Sequence, residues 1–282
     1  MELEKLIHLC RLNRPIGIWL LMLPCWWGVA LGFAPTSLDF YKNLVLFFVG
    51  SVLLRSAGCI FNDFIDRDLD AQVNRTKNRP LAAKTLSTLK AFMLFVAFCL
   101  GGMAVFLCLR PLAQVFAICA FFLLFLYPWA KRFTNWPQLI LGLAFNSGVW
   151  VAYGQTDYKS SWPFALMYGA GIFWTLAYDT IYAFQDVEDD LKTGIKSTAV
   201  LFYQNPKKFL ALCYSAMGCF CLSVAYYTNN LLLVTACCLC AVWVYRSIRY
   251  FSATNTSTCL KLFKKNQYIG LLIFLSLVFG AG

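Results

Sequence analysis

Residues 43–62 read NLVLFFVGSVLLRSAGCIFN, a block in which Arg55 is the only charged residue. An apolar helix of this length crosses a bilayer core of about 30 Å. Similar blocks recur along the chain, and they lack the alternation of apolar and polar residues that is typical of barrel strands. Of the 282 residues, 60% are hydrophobic and 13% are charged, about half the roughly 25% charge of a soluble domain. The sequence therefore predicts an all-α integral membrane protein.

The hydropathy predicts nine transmembrane helices with short connections, so residues 1–282 are expected to form a single transmembrane domain. No small-residue cleavage site follows the first span, which favours a retained helix over a signal peptide. No Arg/Ser-rich transit segment is visible, which favours a bacterial inner membrane over an organellar one. The predicted spans are 15–34, 43–62, 89–109, 112–130, 137–154, 162–184, 208–227, 230–250 and 267–280.

The charges are sorted between the two ends of these spans. When the loops are numbered alternately from the N-terminus, 20 of the 24 Lys and Arg residues fall on one side. The positive-inside rule makes that side cytoplasmic, so the N-terminus is predicted inside and the C-terminus outside. The net charge of +11 is thereby explained by membrane topology, and no nucleic-acid partner is expected. The 13 cysteines lie mostly inside spans, which favours small buried hydrophobes over a zinc site or a disulfide framework.

Most acidic residues lie in two clusters on the predicted cytoplasmic side, after spans two and six. The first cluster, residues 62–70, reads NDFIDRDLD. If the second span continues as a helix, Asn62, Asp63, Asp66 and Asp70 share one face and Asp68 points away. Three carboxylates on one face repel each other, so this arrangement requires a counter-cation.

The second cluster, residues 186–190, reads DVEDD, and Asp186 and Asp190 are again four residues apart. Gly194 is expected to end this helix, and the same helical stripe extends back to Tyr182 and Asp179. The two motifs stand 120 residues apart, each at the end of the second span of a four-span unit. The pattern therefore predicts two four-helix pseudo-repeats plus a ninth helix, arranged around a central cavity that both acidic faces line.

Carboxylates with little histidine or thiolate nearby suit a hard ion, and Mg²⁺ typically combines a few carboxylates with phosphate oxygens of a substrate. Two facing carboxylate pairs are therefore expected to hold Mg²⁺ and clamp a diphosphate, with the metal neutralising the leaving group. Arg67, Lys131 and Arg132 are candidates for the remaining phosphate oxygens. The alternative is a pair of ordinary solvated loops, which the matched spacing and matched side disfavour.

At these residues the sequence resembles the UbiA prenyltransferase superfamily. The motif N-D-x-x-D-x-x-x-D matches Asn62 to Asp70, and D-x-x-x-D matches Asp186 and Asp190. Flanking strings resemble the 4-hydroxybenzoate polyprenyltransferases of ubiquinone biosynthesis: RPIG at 14–17, RSAGC at 55–59, NRPL at 78–81, YP at 127–128, KR at 131–132, PQ at 137–138, LG at 141–142, YDT at 178–180 and GIKSTA at 194–199.

The resemblance implies Mg²⁺-dependent transfer of a polyprenyl group from polyprenyl diphosphate to the 3-position of 4-hydroxybenzoate. The family pattern implies that the metal and diphosphate are held by Asn62, Asp66, Asp70, Asp186 and Asp190, with the four aspartates catalytic. For the aromatic acid, Arg14, Arg55 and Asp179 are the candidates. Arg55 either pairs with an aspartate such as Asp63 or Asp179 or contacts the substrate carboxylate, and Asp179 is either a structural partner or a ring-orienting group.

Two other functions are compatible with the sequence. Another UbiA-type enzyme would use a different acceptor, such as a naphthoate or haem, and acceptor choice depends on the resemblance alone. A transporter would place charges near the middle of the bilayer and use broken helices. The acidic residues here lie at one membrane face, which favours catalysis at the cytoplasmic surface.

Overall fold

The computed structural model of the chain describes residues 2–72 and 76–280, with the side chains of Glu2, Pro128, Lys131 and Thr193 outside that description. The described residues form helices α1 to α14, which confirms the all-helical class. In chain order these are Glu2–Leu9, Ile16–Gly32, Leu38–Ile65, Arg67–Asp70, Thr88–Leu107, Pro111–Phe133, Pro137–Asn146, Gly148–Gly154, Trp162–Ala183, Val187–Thr193, Thr198–Leu201, Pro206–Tyr227, Leu231–Arg249 and Thr256–Phe279.

Every predicted span overlaps helix, because each apolar block is long enough to sustain one. Five helices are long and apolar enough to cross a membrane, namely α3, α5, α12, α13 and α14. Helix α2 and the Pro111–Tyr127 part of α6 are apolar but shorter. Together these helices describe a multi-pass chain, while the count of nine crossings stays a prediction.

The predicted span 137–154 is not one continuous helix. It divides at Ser147 into α7 and α8, because the Ser147 N–H bonds to Ala144 O (3.3 Å), three residues back. The Ser147 Oγ donates to Leu143 O at 2.7 Å and competes with the regular backbone ladder. A Cβ at Gly148 would overlap the Cys25 Sγ, so glycine permits the close approach of α2 at the break.

The last helix begins eleven residues before the predicted span at 267–280. The Asn255 side chain accepts a hydrogen bond from the Thr258 N–H at 3.0 Å and caps α14 at its N-terminus. The first half of α14 carries Lys261, Lys264 and Lys265, which lower its hydropathy without interrupting the helix. Hydropathy alone therefore missed this part.

Residues 1–22 and 45–109 form one compact unit. Within it, the short helix α1, which the hydropathy did not predict, packs beside the end of α3 and the start of α5. A buried apolar cluster joins them, with contributions from Leu9, Cys10, Ile60, Leu81, Leu86 and Ala91. This cluster holds the turn after α1 close to the first acidic motif.

Residues 23–44 and 110–282 form the second unit, in which α9 contacts α7, α8, α12 and α14. Asn266 of α14 is fully buried, and its Oδ1 accepts hydrogen bonds from Trp174 Nε1 (3.0 Å) and the Tyr214 hydroxyl (2.9 Å). The Asn266 Nδ2 donates to Leu262 O. This network links α9, α12 and α14, since polar groups in a membrane protein must be satisfied internally.

The two compact units do not coincide with the two predicted repeats. Helix α6, the fourth predicted span, groups with α7 to α14 in the second unit. The pseudo-repeats and the central cavity therefore stay predictions. All 13 cysteines are free, but Cys99, Cys119 and Cys219 are exposed on the outer surface of their helices, where lipid rather than a protein core is the expected neighbour.

Candidate active site

The first acidic motif lies on a helix that breaks at Asp66. Asn62 and Asp63 are in the last turn of α3, and Asp70 ends the one-turn helix α4. Asp66 has φ −92° and ψ 5°, in the sparsely populated bridge region where many active-site residues lie. The Asp66 N–H still bonds to Asn62 O (2.9 Å) and the Asp70 N–H to Asp66 O (2.7 Å). The predicted unbroken helix is wrong at this position, although the four-residue backbone contacts survive.

Asp63 is buried among arginines. Its side chain is 2% exposed, and Arg11 Nη2 donates to Asp63 Oδ1 at 2.8 Å and to Oδ2 at 3.1 Å. Arg79 Nη1 reaches Asp63 Oδ1 at 3.3 Å and Asp70 Oδ2 at 2.6 Å. One guanidinium thus bridges two carboxylates of the motif. Asp68, which the helical spacing places off this face, is exposed.

Sequence reasoning gave no site role to Arg11 or Arg79. It did state that three neighbouring carboxylates need a counter-cation, and Arg79 lies nine residues after Asp70 within the NRPL string. The Arg11 pairing spans 52 residues and depends on how α1 folds back. A search for basic residues close in sequence to the acidic cluster could have found Arg79 but not Arg11.

The second motif begins after a helix ends, and it shares part of this local geometry. Helix α9 ends at Ala183, and Asp186 precedes α10 with φ −114° and ψ 3°. The Asp190 N–H bonds to Asp186 O at 2.9 Å, as Asp70 does to Asp66. Asp186 and Asp190 are half-buried, whereas Glu188 is exposed. The predicted continuous stripe back to Tyr182 and Asp179 is wrong, because those two residues belong to α9 before the break.

The end of α10 and the loop after it are firmly positioned. Gly194 adopts the left-handed conformation with φ 73° and ends α10, as predicted. The Ile195 N–H bonds back to Asp190 O at 3.1 Å. Further on, Thr198 is fully buried, with its hydroxyl 2.6 Å from that of Thr180 and its N–H bonded to Gln138 Oε1. These bonds tie the GIKSTA string to α7 and α9.

The other predicted site residues differ in how far they are exposed. Arg67 is half-buried at the start of α4, and Arg132 is exposed and lies over the Trp129 ring at 5.1 Å. The side chain of Lys131 lies outside the described residues. Arg14 is exposed, and Asp179 is half-buried on α9.

Arg55 packs against α2 within the first unit. A Cβ at Gly17 would lie 2.8 Å from Arg55 Nη2 and 2.9 Å from its Cζ, so glycine at this position leaves room for the guanidinium. Asp63 has Arg11 and Arg79 as its ion-pair partners, and the two predicted roles of Arg55, pairing with an aspartate or contacting the substrate carboxylate, both stay predictions. Asp66 and Asp70 belong to the first unit, and Asp186 and Asp190 to the second; their convergence stays a prediction.

The donor atoms of both motifs are carboxylate and amide oxygens, which are the ligands that Mg²⁺ prefers. Among the described residues, no three His, Cys, Asp or Glu side chains already form a metal-binding group. In the first motif, Arg79 Nη1 donates to Asp70 Oδ2 at 2.6 Å, so a cation bound to Asp70 would share that carboxylate with the guanidinium. The residues therefore fit Mg²⁺ by chemistry, with Arg79 as the neighbour that must share Asp70.

Known proteins resemble this chain over nearly its whole length. The pattern of the UbiA prenyltransferase family matches residues 21–278. The chain is 39% identical over 283 residues to the mitochondrial 4-hydroxybenzoate polyprenyltransferase of Bos taurus, covering 99% of this chain and 76% of that protein. It is 38% identical over 277 residues to the 4-hydroxybenzoate octaprenyltransferase of Shewanella oneidensis, covering 96% and 94%.

Solved structures share the fold. A UbiA homologue from Aeropyrum pernix aligns with a TM-score of 0.73 and 23% identity, covering 93% of this chain and 96% of that one. A UbiA homologue from Archaeoglobus fulgidus, bound to GPP and Mg²⁺, aligns with a TM-score of 0.74 and 18% identity, covering 97% and 99%. The chain therefore belongs to the UbiA prenyltransferase family of multi-pass membrane enzymes.

Proposed function

We infer that this chain is a 4-hydroxybenzoate polyprenyltransferase of ubiquinone biosynthesis. This inference depends on near full-length similarity, at 38–39% identity, to a mammalian 4-hydroxybenzoate polyprenyltransferase and a bacterial 4-hydroxybenzoate octaprenyltransferase. The reaction moves a polyprenyl group from its diphosphate to ring position 3 of 4-hydroxybenzoate. The allylic carbon leaves the diphosphate as a cation, the ring attacks it ortho to the phenol, and loss of the ring proton restores aromaticity.

The two aspartate motifs hold the diphosphate end of the donor. Oxygen ligands from Asn62, Asp66, Asp70, Asp186 and Asp190 would hold Mg²⁺, which supplies Lewis-acid neutralisation of the departing diphosphate. The backbone breaks at Asp66 and Asp186 support this assignment, because each places a proposed metal ligand outside the regular helix that precedes it. When the donor binds, Arg79 shares or releases Asp70 and keeps Asp63 neutralised.

The other basic residues near the motifs are assigned by their positions to the diphosphate or to the aromatic acid. Arg67, Lys131 and Arg132 are assigned to the phosphate oxygens that the metal leaves free. Arg55, half-buried against Gly17, is assigned to the carboxylate of the aromatic acid, with Arg14 and Asp179 as further contacts. A guanidinium can bind a carboxylate through two parallel hydrogen bonds, so the carboxylate of the aromatic acid is a chemically suitable ligand for Arg55.

The proposed architecture is a single domain over residues 1–282 with nine transmembrane helices. Two four-helix repeats and the ninth helix surround a cavity that excludes water from the allylic cation. The chain lies in an inner membrane with its N-terminus and both motifs on the cytoplasmic side, as the distribution of Lys and Arg indicates. The long prenyl tail extends into the lipid-facing part of the bundle.

The decisive experiment is an acceptor screen with one fixed prenyl diphosphate in membranes that contain the protein. We expect prenylation of 4-hydroxybenzoate, abolished by EDTA and restored by Mg²⁺. A naphthoate or haem precursor as the preferred acceptor would reassign the substrate within the family. Turnover that persists in EDTA would refute the magnesium assignment, and the absence of any prenylated product would refute the function.

A further inference from the structure

A groove of about 330 Å³ lies in the second unit between α13 and α14. On α13 it is lined by Leu239, Cys240 and Trp243, and on α14 by Lys265, Tyr268, Ile269 and Leu272. Its volume is at the lower end of small-molecule sites. The groove thus offers room for part of a ligand, and its lining combines one lysine with one cysteine and with apolar and aromatic side chains.

The groove has a charged end and an apolar end. On α14, Lys265 is followed by Ile269 one turn later and Leu272 two turns later, about 10 Å along the helix. Trp243 and Tyr268 supply aromatic rings, which are enriched where the headgroups of a membrane meet its hydrocarbon core. A ligand that fits this groove has an anionic head and an apolar tail.

The charge around this hairpin is positive and unbalanced. Residues 191–282 contain nine Lys or Arg residues and no Asp or Glu. Five of the nine flank the connection between α13 and α14, namely Arg246, Arg249, Lys261, Lys264 and Lys265. Because this segment has no carboxylate of its own, its positive charge favours an external anion. Basic pockets between transmembrane helices are known to bind anionic lipid headgroups.

We propose that the α13–α14 groove binds an anionic glycerophospholipid. The Lys265 ammonium contacts the lipid phosphate, and one acyl chain lies against Trp243, Ile269 and Leu272. Lys265 can extend its ammonium toward the headgroups while its methylene stem covers apolar surface. This binding is independent of prenyl transfer, because none of the groove residues belongs to the two aspartate motifs.

The test uses the full chain, purified in neutral detergent and stripped of lipid, and native mass spectrometry. Phosphatidylglycerol and phosphatidylcholine with identical acyl chains are titrated separately, and phosphatidylglycerol is expected to bind more tightly. Lys265→Gln should weaken phosphatidylglycerol binding about fivefold, the effect of one lysine near an anionic lipid, and Lys265→Arg should retain it. The matched control is Lys208→Gln, an exposed lysine on α12 outside the groove, which should change binding less than twofold.

Leu272→Trp fills the apolar end without altering charge and should also weaken binding, so the proposal stays testable should Lys265→Gln fail to fold. Equal binding of the two lipids would overturn the proposal. Equal losses in Lys265→Gln and Lys208→Gln would indicate unspecific attraction and would also overturn it. Displacement of phosphatidylglycerol by an equimolar amount of farnesyl diphosphate would assign the groove to the prenyl donor instead.

Discussion

Asp63 is the carboxylate of the first motif that we expect to be structural, whereas the other aspartates of the motif are proposed metal ligands. Replacing Asp63 by Asn tests this distinction. Asp63 is 2% exposed and bonds to Arg11 at 2.8 and 3.1 Å and to Arg79 at 3.3 Å. Removing one partner of a buried ion pair costs about 3–5 kcal/mol. Both guanidinium groups are about a quarter exposed (24% and 23%), and Asp70 still pairs with Arg79, so the lower end of this range, about 3 kcal/mol, is expected.

The assay is SDS-driven unfolding in mixed micelles, applied to Asp63→Asn, Arg11→Gln and the double variant. Because the two residues share a two-oxygen contact, we expect a coupling energy of about 1–3 kcal/mol. The control is Asp39→Asn, whose ion pair with Lys42 is exposed (65% and 62%), and its stability should be unchanged within error. Asp66→Asn serves as the functional comparison, since it should lose activity.

Two results would refute this reasoning. Additivity of the Asp63 and Arg11 changes within about 0.5 kcal/mol would show that the pair carries no net coupling. An Asp63→Asn protein that is as stable as the original but inactive would move Asp63 into the group of metal ligands.

The remaining predictions concern the motifs and the acceptor site. Asp66→Ala should lower the rate by orders of magnitude in a prenyl-transfer assay, whereas Asp68→Asn, at an exposed position, should be mild; equal damage would contradict the assigned faces. Gly194→Ala should destabilise the protein by about 1–2 kcal/mol in mixed-micelle unfolding, because its φ of 73° suits glycine; the control is Gly218→Ala, inside α12 with open space around its Cβ, which should not destabilise the protein. Arg55→Ala should raise the apparent KM for 4-hydroxybenzoate more than for the diphosphate in steady-state kinetics; the reverse order would assign Arg55 to the donor.

Hydropathy predicted the helices well because each apolar block is self-contained. The ends of α3, α5, α9, α12 and α13 fall within about five residues of the predicted spans. Two helical segments were missed because they are too short or too charged to be recognised by hydropathy. Helix α1 has only eight residues, and the first half of α14 carries three lysines, so neither part resembles a span in hydropathy.

The breaks at Asp66 and Asp186 could not be predicted from spacing. A four-residue repeat is compatible with a straight helix, and the backbone bonds from Asp70 to Asp66 and from Asp190 to Asp186 preserve that repeat across both breaks. Only the backbone angles of the two aspartates reveal the interruption of the helix. The Arg11–Asp63 pair was equally inaccessible, because its partners stand 52 residues apart and meet only after α1 has packed onto α3.

The break at Asp66 and the two arginines both reduce the repulsion between neighbouring carboxylates in the first motif. On a straight helix, side chains three and four residues apart lie about 5–6 Å from each other, so Asp63, Asp66 and Asp70 would form a row of like charges beside lipid. The structure neutralises the outer two carboxylates with Arg79 and places Asp66 between them, at the break. A cation that binds Asp70 then shares that carboxylate with one guanidinium rather than entering an unbalanced cluster of negative charge. The motif can therefore stay folded without metal. Because Asp63 has two arginine partners, Arg79 can also bind Asp70 while Arg11 still neutralises Asp63.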